Sequence, residues 1–360
     1  MARAGADNRR LNFKGTPLEQ DSFSEADSIS AGVEPTEADV LDEQAEQRHC
    51  SVPAPLHGWR IDRALAQLVP EFSRSYLQQV LAEGGVRWRG KPCHKASVKV
   101  AVGDLIDVVL RPTAQARAFV PQPMALAVVF EDAHLLVLDK PAGLVVHPAA
   151  GHWSGTLLNG LLAHHEGAAL LPRAGIVHRL DKDTSGLMMV AKSRTAMDAL
   201  VRAIAAREVN RQYLALAHGA WRGADTRNLQ GFIGRDPHNR LRMALVGEGS
   251  GKPAQTDLLR LDGHDLATLV ACKLHTGRTH QIRVHLASIG HPLVGDAIYG
   301  GRAAWGLQRQ GLHASFLQFT HPVSGVALSF WSDPPADMQH ALAQGGLRYN
   351  PPPAGRGLIA

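Results

Sequence analysis

A charged loop flanked by apolar stretches, at residues 175–191, limits the folds open to this chain. Its sequence is GIVHRLDKDTSGLMMVA. Short apolar runs bounded by Gly, Asp and Ser are typical of β-strands, so the segment predicts two strands joined by a polar loop. Such a loop presents its charged side chains at a cleft, and Asp181 is the candidate centre. A solvated, salt-bridged turn is the alternative that this loop alone leaves open.

Charge is distributed unevenly along the chain. The net charge is +5, but residues 1–50 hold 11 acids against 5 Lys and Arg, so the remaining residues carry +11. A basic surplus favours a polyanionic partner, with nucleic acid ahead of a membrane surface. The hydrophobic fraction of 45% is that of an ordinary soluble protein.

The cysteines and the apolar runs bear on the compartment. Cys50, Cys93 and Cys272 show neither metal-ligand spacing nor an even disulfide framework, which suits a reducing cytosol. No apolar run approaches the roughly 18 residues of a membrane helix, and the N-terminus lacks the apolar core of a secretion signal. We therefore expect a cytoplasmic protein without membrane association.

The chain divides into five predicted segments. Residues 1–50 are acidic and lack apolar periodicity, which predicts a disordered tail. Residues 51–111 predict a small folded domain, and the Pro-, Ala- and Gln-rich residues 112–123 predict a linker. Residues 124–345 are long enough for the main domain, and residues 346–360 predict a flexible tail.

The small predicted domain contains two helices followed by a basic hairpin. Apolar residues recur at helical spacing from Ile61, Ser73 is placed to cap the second helix, and residues 86–92 alternate like a hairpin with its turn near Gly90. This order resembles the alpha-L RNA-binding module over about residues 57–110. Ordinary exposed cations on a small domain are the alternative. The candidate RNA-binding cations are Arg63, Arg74, Arg87, Arg89 and Lys91.

Three helices are predicted in the main domain. Residues 156–164 predict the first, and Ser193 and Thr279 are placed to cap the other two. The last of these helices is predicted to run to Gly290, with Arg283 flanking its buried face.

A series of motifs runs through the main domain. In chain order they are KPAG at 140–143, VVHP at 145–148, HRLD at 178–181, RQY at 211–213, TGRTHQIR at 276–283, HPLVGD at 291–296 and YGGR at 299–302. With these motifs the chain resembles the large-ribosomal-subunit pseudouridine synthase family, D-type branch, from about Ala125 to Phe330. Several long matches in the right order are far more specific than any one motif.

The resemblance implies both a fold and a set of roles. The fold would be α+β, a catalytic domain with a mixed, mostly antiparallel sheet and a cleft beside Asp181, preceded by a small α+β RNA-binding domain. Asp181 would be the catalytic aspartate, Arg283 its partner and Tyr213 the residue that stacks on the base. Arg179 would contact RNA by filling the gap left by a flipped base. The substrate would be specific uridines of large-subunit (23S) ribosomal RNA.

The implied chemistry explains these residue types. Converting uridine to pseudouridine breaks a carbon–nitrogen glycosidic bond, turns the base and joins its carbon 5 to the sugar, so no redox cofactor is needed. Asp181 could attack the anomeric carbon, attack carbon 6 of the base or take up protons, and the sequence does not choose among these routes. A flipped base gives up a few kcal/mol of stacking, of which an aromatic ring such as Tyr213 returns about 1 to 3 kcal/mol.

Other interpretations remain open on the residues alone. The Asp181 and Arg283 pair could be a core ion pair, Tyr213 a core side chain and Arg179 a phosphate contact. The whole chain could be a non-catalytic RNA-binding platform or could modify transfer RNA. A metal site is not expected, because His275, His280 and His285 are five apart, which separates neighbours by about 140 degrees on a helix. We expect a monomer that needs no small-molecule cofactor.

Overall fold

Two units, Met1–Arg111 and Pro112–Ala360, make up the chain in the computed structural model. The structure describes residues 46–110, 118–149, 151–239, 242–353 and 355–359. The predicted tail of residues 1–50 lies outside this range except for its last five residues, and so does the first half of the predicted linker at 112–123.

The first unit is a four-stranded antiparallel sheet with two helices. Its strands follow the order β1-β4-β2-β3. The elements are β1 (Glu46–Ser51), α1 (Ile61–Leu68), α2 (Arg74–Ala82), β2 (Val86–Trp88), β3 (Lys91–Pro92) and β4 (Leu105–Leu110).

Local signals set several of these elements. The Ser73 hydroxyl accepts a hydrogen bond from the backbone N–H of Tyr76, which caps α2 as predicted. Arg89 and Gly90 both have positive φ, at 52° and 75°, as a two-residue hairpin turn requires. The apolar sides of α1 and α2 pack with β2 and β4 around Ile61, Leu77 and other fully buried residues.

The boundary of the predicted tail needs correction, because β1 begins at Glu46. All six of its residues pair with β4, from Glu46 opposite Leu110 to Ser51 opposite Leu105. The strand is mostly exposed and polar, so it carries no apolar pattern that sequence reasoning could detect. Backbone hydrogen bonds to the free edge of β4 hold it instead.

The second unit is built on a ten-stranded sheet of order β10-β9-β11-β12-β8-β13-β7-β6-β5, with β14 paired to β13. Its strands are β5 (Val128–Glu131), β6 (Leu135–Lys140), β7 (Ser185–Ala191), β8 (Asn210–His218), β9 (Thr226–Arg235), β10 (Met243–Val246), β11 (Lys252–Gly263), β12 (Ala267–Leu274), β13 (Leu312–Thr320) and β14 (Ala327–Trp331). Its helices are α3 (Leu157–His164), α4 (Arg194–Ala205), α5 (Gln281–Ser288) and α6 (Ala336–Gln344). The pair β7 and β13 is parallel and the other pairs are antiparallel, which confirms the predicted mixed, mostly antiparallel α+β fold.

Strand β7 lies inside this sheet, and all seven of its residues are buried. Met188 and Val190 join a core under α3 and α5, whereas Leu187 and Met189 join a core under α4 on the opposite face. At the start of the strand, Gly186 has φ of 113°, and a Cβ there would lie 2.2 Å from the Ala314 carbonyl oxygen. Only glycine allows β13 to approach so closely directly after the charged loop.

The predicted flexible tail at 346–360 also needs correction for its described residues. Leu347 is buried, and Leu358 packs beside it against the core under α6. The Gln212 side chain donates to the Ile359 carbonyl at 2.6 Å and accepts from the Ile359 N–H at 2.8 Å. These apolar and amide contacts fix the segment behind strand β8. None of the described helices is both long and apolar enough to cross a membrane.

Candidate active site

A cavity of about 810 Å³ opens in the second unit on the α3 and α5 side of the sheet. Its wall is formed by the charged loop, the start of β8, the end of β12 and the segment that leads into α5. Six arginines line it against a single carboxylate, Asp181, within the described residues. The arginines are Arg173, Arg179, Arg207, Arg211, Arg278 and Arg283. An excess of positive charge of this size favours a polyanionic ligand.

Asp181 is held by a buried arginine that has a second partner. Arg283 Nη1 donates to Asp181 Oδ2 at 3.2 Å, while its Nε and Nη2 donate to both oxygens of Asp296, at 2.7 and 2.8 Å. Burial opposes the charge of Arg283, but the hydrogen bonds to Asp296 and the nearby Asp181 raise its pKa above the ordinary value. The two-pronged bond to Asp296 therefore fixes Arg283, and its Nη1 is left to orient Asp181.

Asp296 was not identified from the sequence, although it ends the HPLVGD motif. The signal was present, since a carboxylate in a long motif is a candidate partner for a cation. The separation of 13 residues from Arg283 gave no geometric reason to pair them.

His280 and Tyr299 form a second contact to the candidate carboxylate. The Tyr299 hydroxyl accepts from the Met243 N–H at 2.9 Å and lies 2.9 Å from His280 Nδ1. The other ring nitrogen of His280, Nε2, lies 3.8 Å from Asp181 Oδ2. Burial lowers the pKa of His280, with Asp181 opposing this, so the neutral form is favoured.

The start of α5 differs from the prediction. His280 rather than Thr279 occupies the N-cap position, with φ of 58° and no side-chain capping bond. The left-handed conformation turns the chain so that His280 faces Asp181, and the helix extends only to Ser288 instead of Gly290.

Tyr213 lies in the wall of the same cavity, on β8. Its side chain is 6% exposed. Burial raises its pKa, and the Asp181 carboxylate adds to this effect against an opposing effect of Arg211. The ring is therefore packed in the core and borders the space beside Asp181. Arg179 also borders the cavity, but its side chain is exposed.

A buried lysine holds the charged loop in place through hydrogen bonds to backbone carbonyls. Lys140 is fully buried, and its Nζ donates to the carbonyl oxygens of Pro141, Leu144 and Lys182 at 2.7, 2.9 and 2.9 Å. Burial lowers its pKa to about 8, so the ammonium predominates at neutral pH. Three donors matched to three carbonyls join the KPAG motif to the loop that carries Asp181.

Comparisons with known proteins bear on the family of this chain. A family model described as RNA pseudouridylate synthase matches residues 134–288. Ribosomal large subunit pseudouridine synthase D of Neisseria meningitidis serogroup B is 48% identical over 306 residues, which cover 81% of this chain and 80% of the relative. The chain belongs to the RNA pseudouridylate synthase family. The enzyme of the same name from Nitrosomonas europaea is 46% identical, over 82% of this chain and 86% of the relative. That from Escherichia coli O6:H1 is 42% identical, over 78% of this chain and 89% of the relative.

These relatives place the synthase in the D branch of its family, as predicted, and make it an isomerase. Among solved structures, human RNA pseudouridylate synthase domain containing 4 matches with a TM-score of 0.50 at 21% identity, covering 62% of this chain and 94% of that one. That likeness supports the fold.

Two candidate RNA-binding cations in the first unit of the synthase lie on tryptophan rings. The Arg63 guanidinium is 4.9 Å from the centre of the Trp59 ring, and that of Arg89 is 4.6 Å from the Trp88 ring. Arg89 also donates to the Asp104 carboxylate at 2.7 Å. Stacked guanidinium groups are held in a defined orientation while their N–H groups stay available.

The other three candidate cations differ in their partners. Arg74 donates to Asp62, which is fully buried and also accepts from Gln78. Burial opposes the charge of Asp62, but these hydrogen bonds lower its pKa well below the ordinary value, so part of the Arg74 charge is neutralised internally. Arg87 and Lys91 are exposed on the hairpin.

Across the described ranges, no three His, Cys, Asp or Glu side chains converge in a way that would hold a metal ion.

Proposed function

We propose that the synthase converts uridines of large-subunit ribosomal RNA to pseudouridine, with Asp181 as the catalytic carboxylate. The substrate class rests on the relatives, whose names specify the ribosomal large subunit. The role of Asp181 rests on one observation: it is the single carboxylate among six arginines in the described lining of the cavity. A carboxylate in such a position is available to react with an RNA strand that the arginines hold.

The contacts of Asp181 support Oδ1 as the reacting oxygen in this proposal. Arg283 Nη1 lies 3.2 Å from Oδ2, and His280 Nε2 lies 3.8 Å from the same oxygen. Oδ1 receives no hydrogen bond from the described residues and is left to meet the sugar or the base. Arg283 orients the carboxylate, which serves attack at the anomeric carbon, attack at carbon 6 and proton uptake alike.

The remaining residues position the RNA in this proposal. Tyr213 supplies a ring beside Asp181 on which the flipped uracil stacks. Arg179, exposed at the cavity, fills the gap that the base leaves in the RNA. The cations Arg63, Arg74, Arg87, Arg89 and Lys91 of the first unit bind phosphates of the long RNA, with Arg63, Arg87 and Lys91 contributing most because Arg74 and Arg89 have acidic partners.

The reaction conserves every atom, since the proton released from carbon 5 is balanced by one taken up at the freed nitrogen. We therefore propose that the synthase uses no cofactor.

We also propose that the synthase acts as a monomer, because a single unit provides the cavity wall. Ribosomal RNA as the substrate entails a cytoplasmic place of action.

The test of Asp181 compares two neighbouring carboxylates. Asp181→Asn should abolish pseudouridine formation in a large-subunit RNA transcript, because an amide is neither a nucleophile nor a base there. Asp183→Asn removes the same charge two residues away, outside the cavity wall, and should retain activity. Pseudouridine is measured by carbodiimide-blocked primer extension. Turnover near the wild-type rate in Asp181→Asn would rule out this role.

The substrate is tested separately in cells. Pseudouridines are mapped across ribosomal and transfer RNA with the gene intact, with the gene deleted and with the Asp181→Asn allele. The proposal expects sites to disappear from large-subunit RNA in the last two. Losses confined to transfer RNA would reject the substrate and leave the role of Asp181 standing.

A further inference from the structure

Arg211 is a buried cation without a partner among the described residues. It is 6% exposed, is the second residue of strand β8 and lines the cavity. Its Nε is buried without a hydrogen-bond partner, and no hydrogen bond or ion pair joins its guanidinium to another described residue. Arg283, which is buried to a similar degree in the same cavity, has two carboxylates. An uncompensated charge is unfavourable in the interior, so Arg211 calls for a ligand of opposite charge.

A second unpartnered donor lies in the same wall. His178 Nε2 accepts from the Met189 N–H at 3.1 Å, so the proton of the neutral ring is on Nδ1. That Nδ1 is buried and has no partner in the described part of the chain. Burial and the nearby Arg211 guanidinium lower the pKa of His178 to about 3, which keeps the ring neutral. Arg211 and His178 thus offer donors and no acceptor.

The lack of a side chain at Gly277 leaves room for the guanidinium of Arg211. A Cβ at Gly277 would lie 3.0 Å from Arg211 Nη1. Gly277 belongs to the segment that leads through Arg278 to His280 and lines the cavity with them. A ligand at Arg211 is therefore bounded by the same segment that approaches Asp181.

We propose that Arg211 and His178 form an anion site that binds a backbone phosphate of the RNA strand. The inference rests on the proposed function for the identity of the ligand. A phosphate supplies both the charge that Arg211 lacks and the oxygen acceptors that both side chains need, whereas a base carbonyl supplies only an acceptor. Phosphate contacts fix the register of a strand. This site determines which nucleotide of the bound strand reaches Asp181.

The test replaces Arg211 by methionine, which keeps the length and removes the charge. The slope of log affinity against log salt for a large-subunit RNA transcript should fall by about 0.7 to 0.9, the value of one phosphate contact. KM should rise on the order of tenfold, while the single-turnover rate at saturating RNA stays within about threefold of wild type. The midpoint of thermal unfolding should stay the same or rise, because an unpaired buried charge is removed.

Arg260→Met is the matched control. It removes the same charge from a surface pair with Asp225, 2.7 Å away and outside the cavity wall. Its salt slope and KM should remain those of the wild type. Arg211→Lys retains a cation and should retain most of the salt slope.

Two outcomes would overturn the site. A lower unfolding midpoint, or failure to fold, in Arg211→Met would show that the guanidinium is structural. Weaker RNA binding with an unchanged salt slope would show that Arg211 binds a neutral acceptor group of the RNA instead of a phosphate.

Inorganic phosphate tests the site without depending on isomerisation. At constant ionic strength it should raise the unfolding midpoint of the wild type and not that of Arg211→Met. A wild type that forms no pseudouridine but keeps this difference would reject the proposed function alone.

Discussion

Arg283 serves two carboxylates that are not equivalent. Asp296 receives two of its N–H groups and is almost fully buried, whereas Asp181 receives one and remains 17% exposed. Asp296 therefore stabilises the arginine, and the arginine in turn orients Asp181. Asp296 thus stabilises the site, whereas Asp181 is the carboxylate proposed to react.

A first prediction follows from this difference. Asp296→Asn should lower the free energy of unfolding by about 3 to 5 kcal/mol, because it leaves a buried cation short of its main partner. Asp181→Asn should lower it by no more than about 1 kcal/mol, since Arg283 keeps both bonds to Asp296 and the bond to Asp181 is long and partly exposed. Urea unfolding of the two variants measures the contrast. Equal losses would contradict the unequal roles assigned here.

Tyr213 gives a second prediction at the same scale. Its hydroxyl makes no hydrogen bond to the described residues, and its ring is packed in the core beside the cavity. Tyr213→Phe should keep much of the activity, since stacking needs only the ring. Tyr213→Ala should lose far more, together with about 3 to 5 kcal/mol of stability from the cavity it creates. Single-turnover rates decide the matter, and equal losses in both variants would implicate the hydroxyl.

Among the elements, β1 shows how a strand can form without an apolar pattern. It contributes few buried side chains, yet its six residue pairs close the free edge of β4. The carboxyl-terminal segment behaves similarly, because the Gln212 amide holds Ile359 behind the strand that carries Arg211 and Tyr213. Backbone pairing holds β1, and apolar contacts with the Gln212 amide hold the carboxyl-terminal segment, where hydrophobic periodicity predicts neither.

Two truncations test the contribution of β1. Removing residues 1–45 should leave the unfolding midpoint of the first unit unchanged. Removing residues 1–51 should lower its stability by about 2 kcal/mol or more, because ladder hydrogen bonds contribute roughly 0.5 to 1.5 kcal/mol each. Fluorescence of Trp59 and Trp88 during urea unfolding can report on this unit. If both truncations behaved alike, the strand would not stabilise the unit.

For the whole molecule, neutral histidines that are fully or partly buried contribute to the response to acid. Burial lowers the pKa of His285 and His147 to about 4 and that of His178 to about 3. In the unfolded chain these side chains take up protons near pH 6.5. The unfolded state therefore binds more protons below pH 6.5, and stability that is fully present above that pH is lost as the pH falls towards 4.

A fourth prediction isolates one of these residues. His285 is 1% exposed, and its Nε2 has no partner in the described part of the chain. His285→Gln should reduce the slope of unfolding free energy against pH by about 1.4 kcal/mol per unit between pH 6 and 4.5, the value of one proton. Urea unfolding at several pH values measures this slope. An unchanged slope would mean that His285 does not titrate on unfolding.

The sequence alone determined the features that depend on near neighbours. Ser193 precedes a helix and accepts a hydrogen bond from the backbone N–H three residues on, as predicted, and Thr156 caps the helix predicted at 156–164 in the same way. The apolar run at 187–191 forms a buried strand, as predicted. Caps, turns and periodic faces involve contacts within a few residues, so the local order of side chains is sufficient to specify them.

The tertiary structure alone decided which distant groups meet. Asp181 and Arg283 are 102 residues apart, and the resemblance suggested their pairing where periodicity could not. The bond of Asp296 to Arg283, the three carbonyls at Lys140 and the absence of a partner for Arg211 among the described residues had no such guide. The packing of strands and helices from the whole second unit places these donors and acceptors. A buried polar group is satisfied, or left for a ligand, only once that packing is complete.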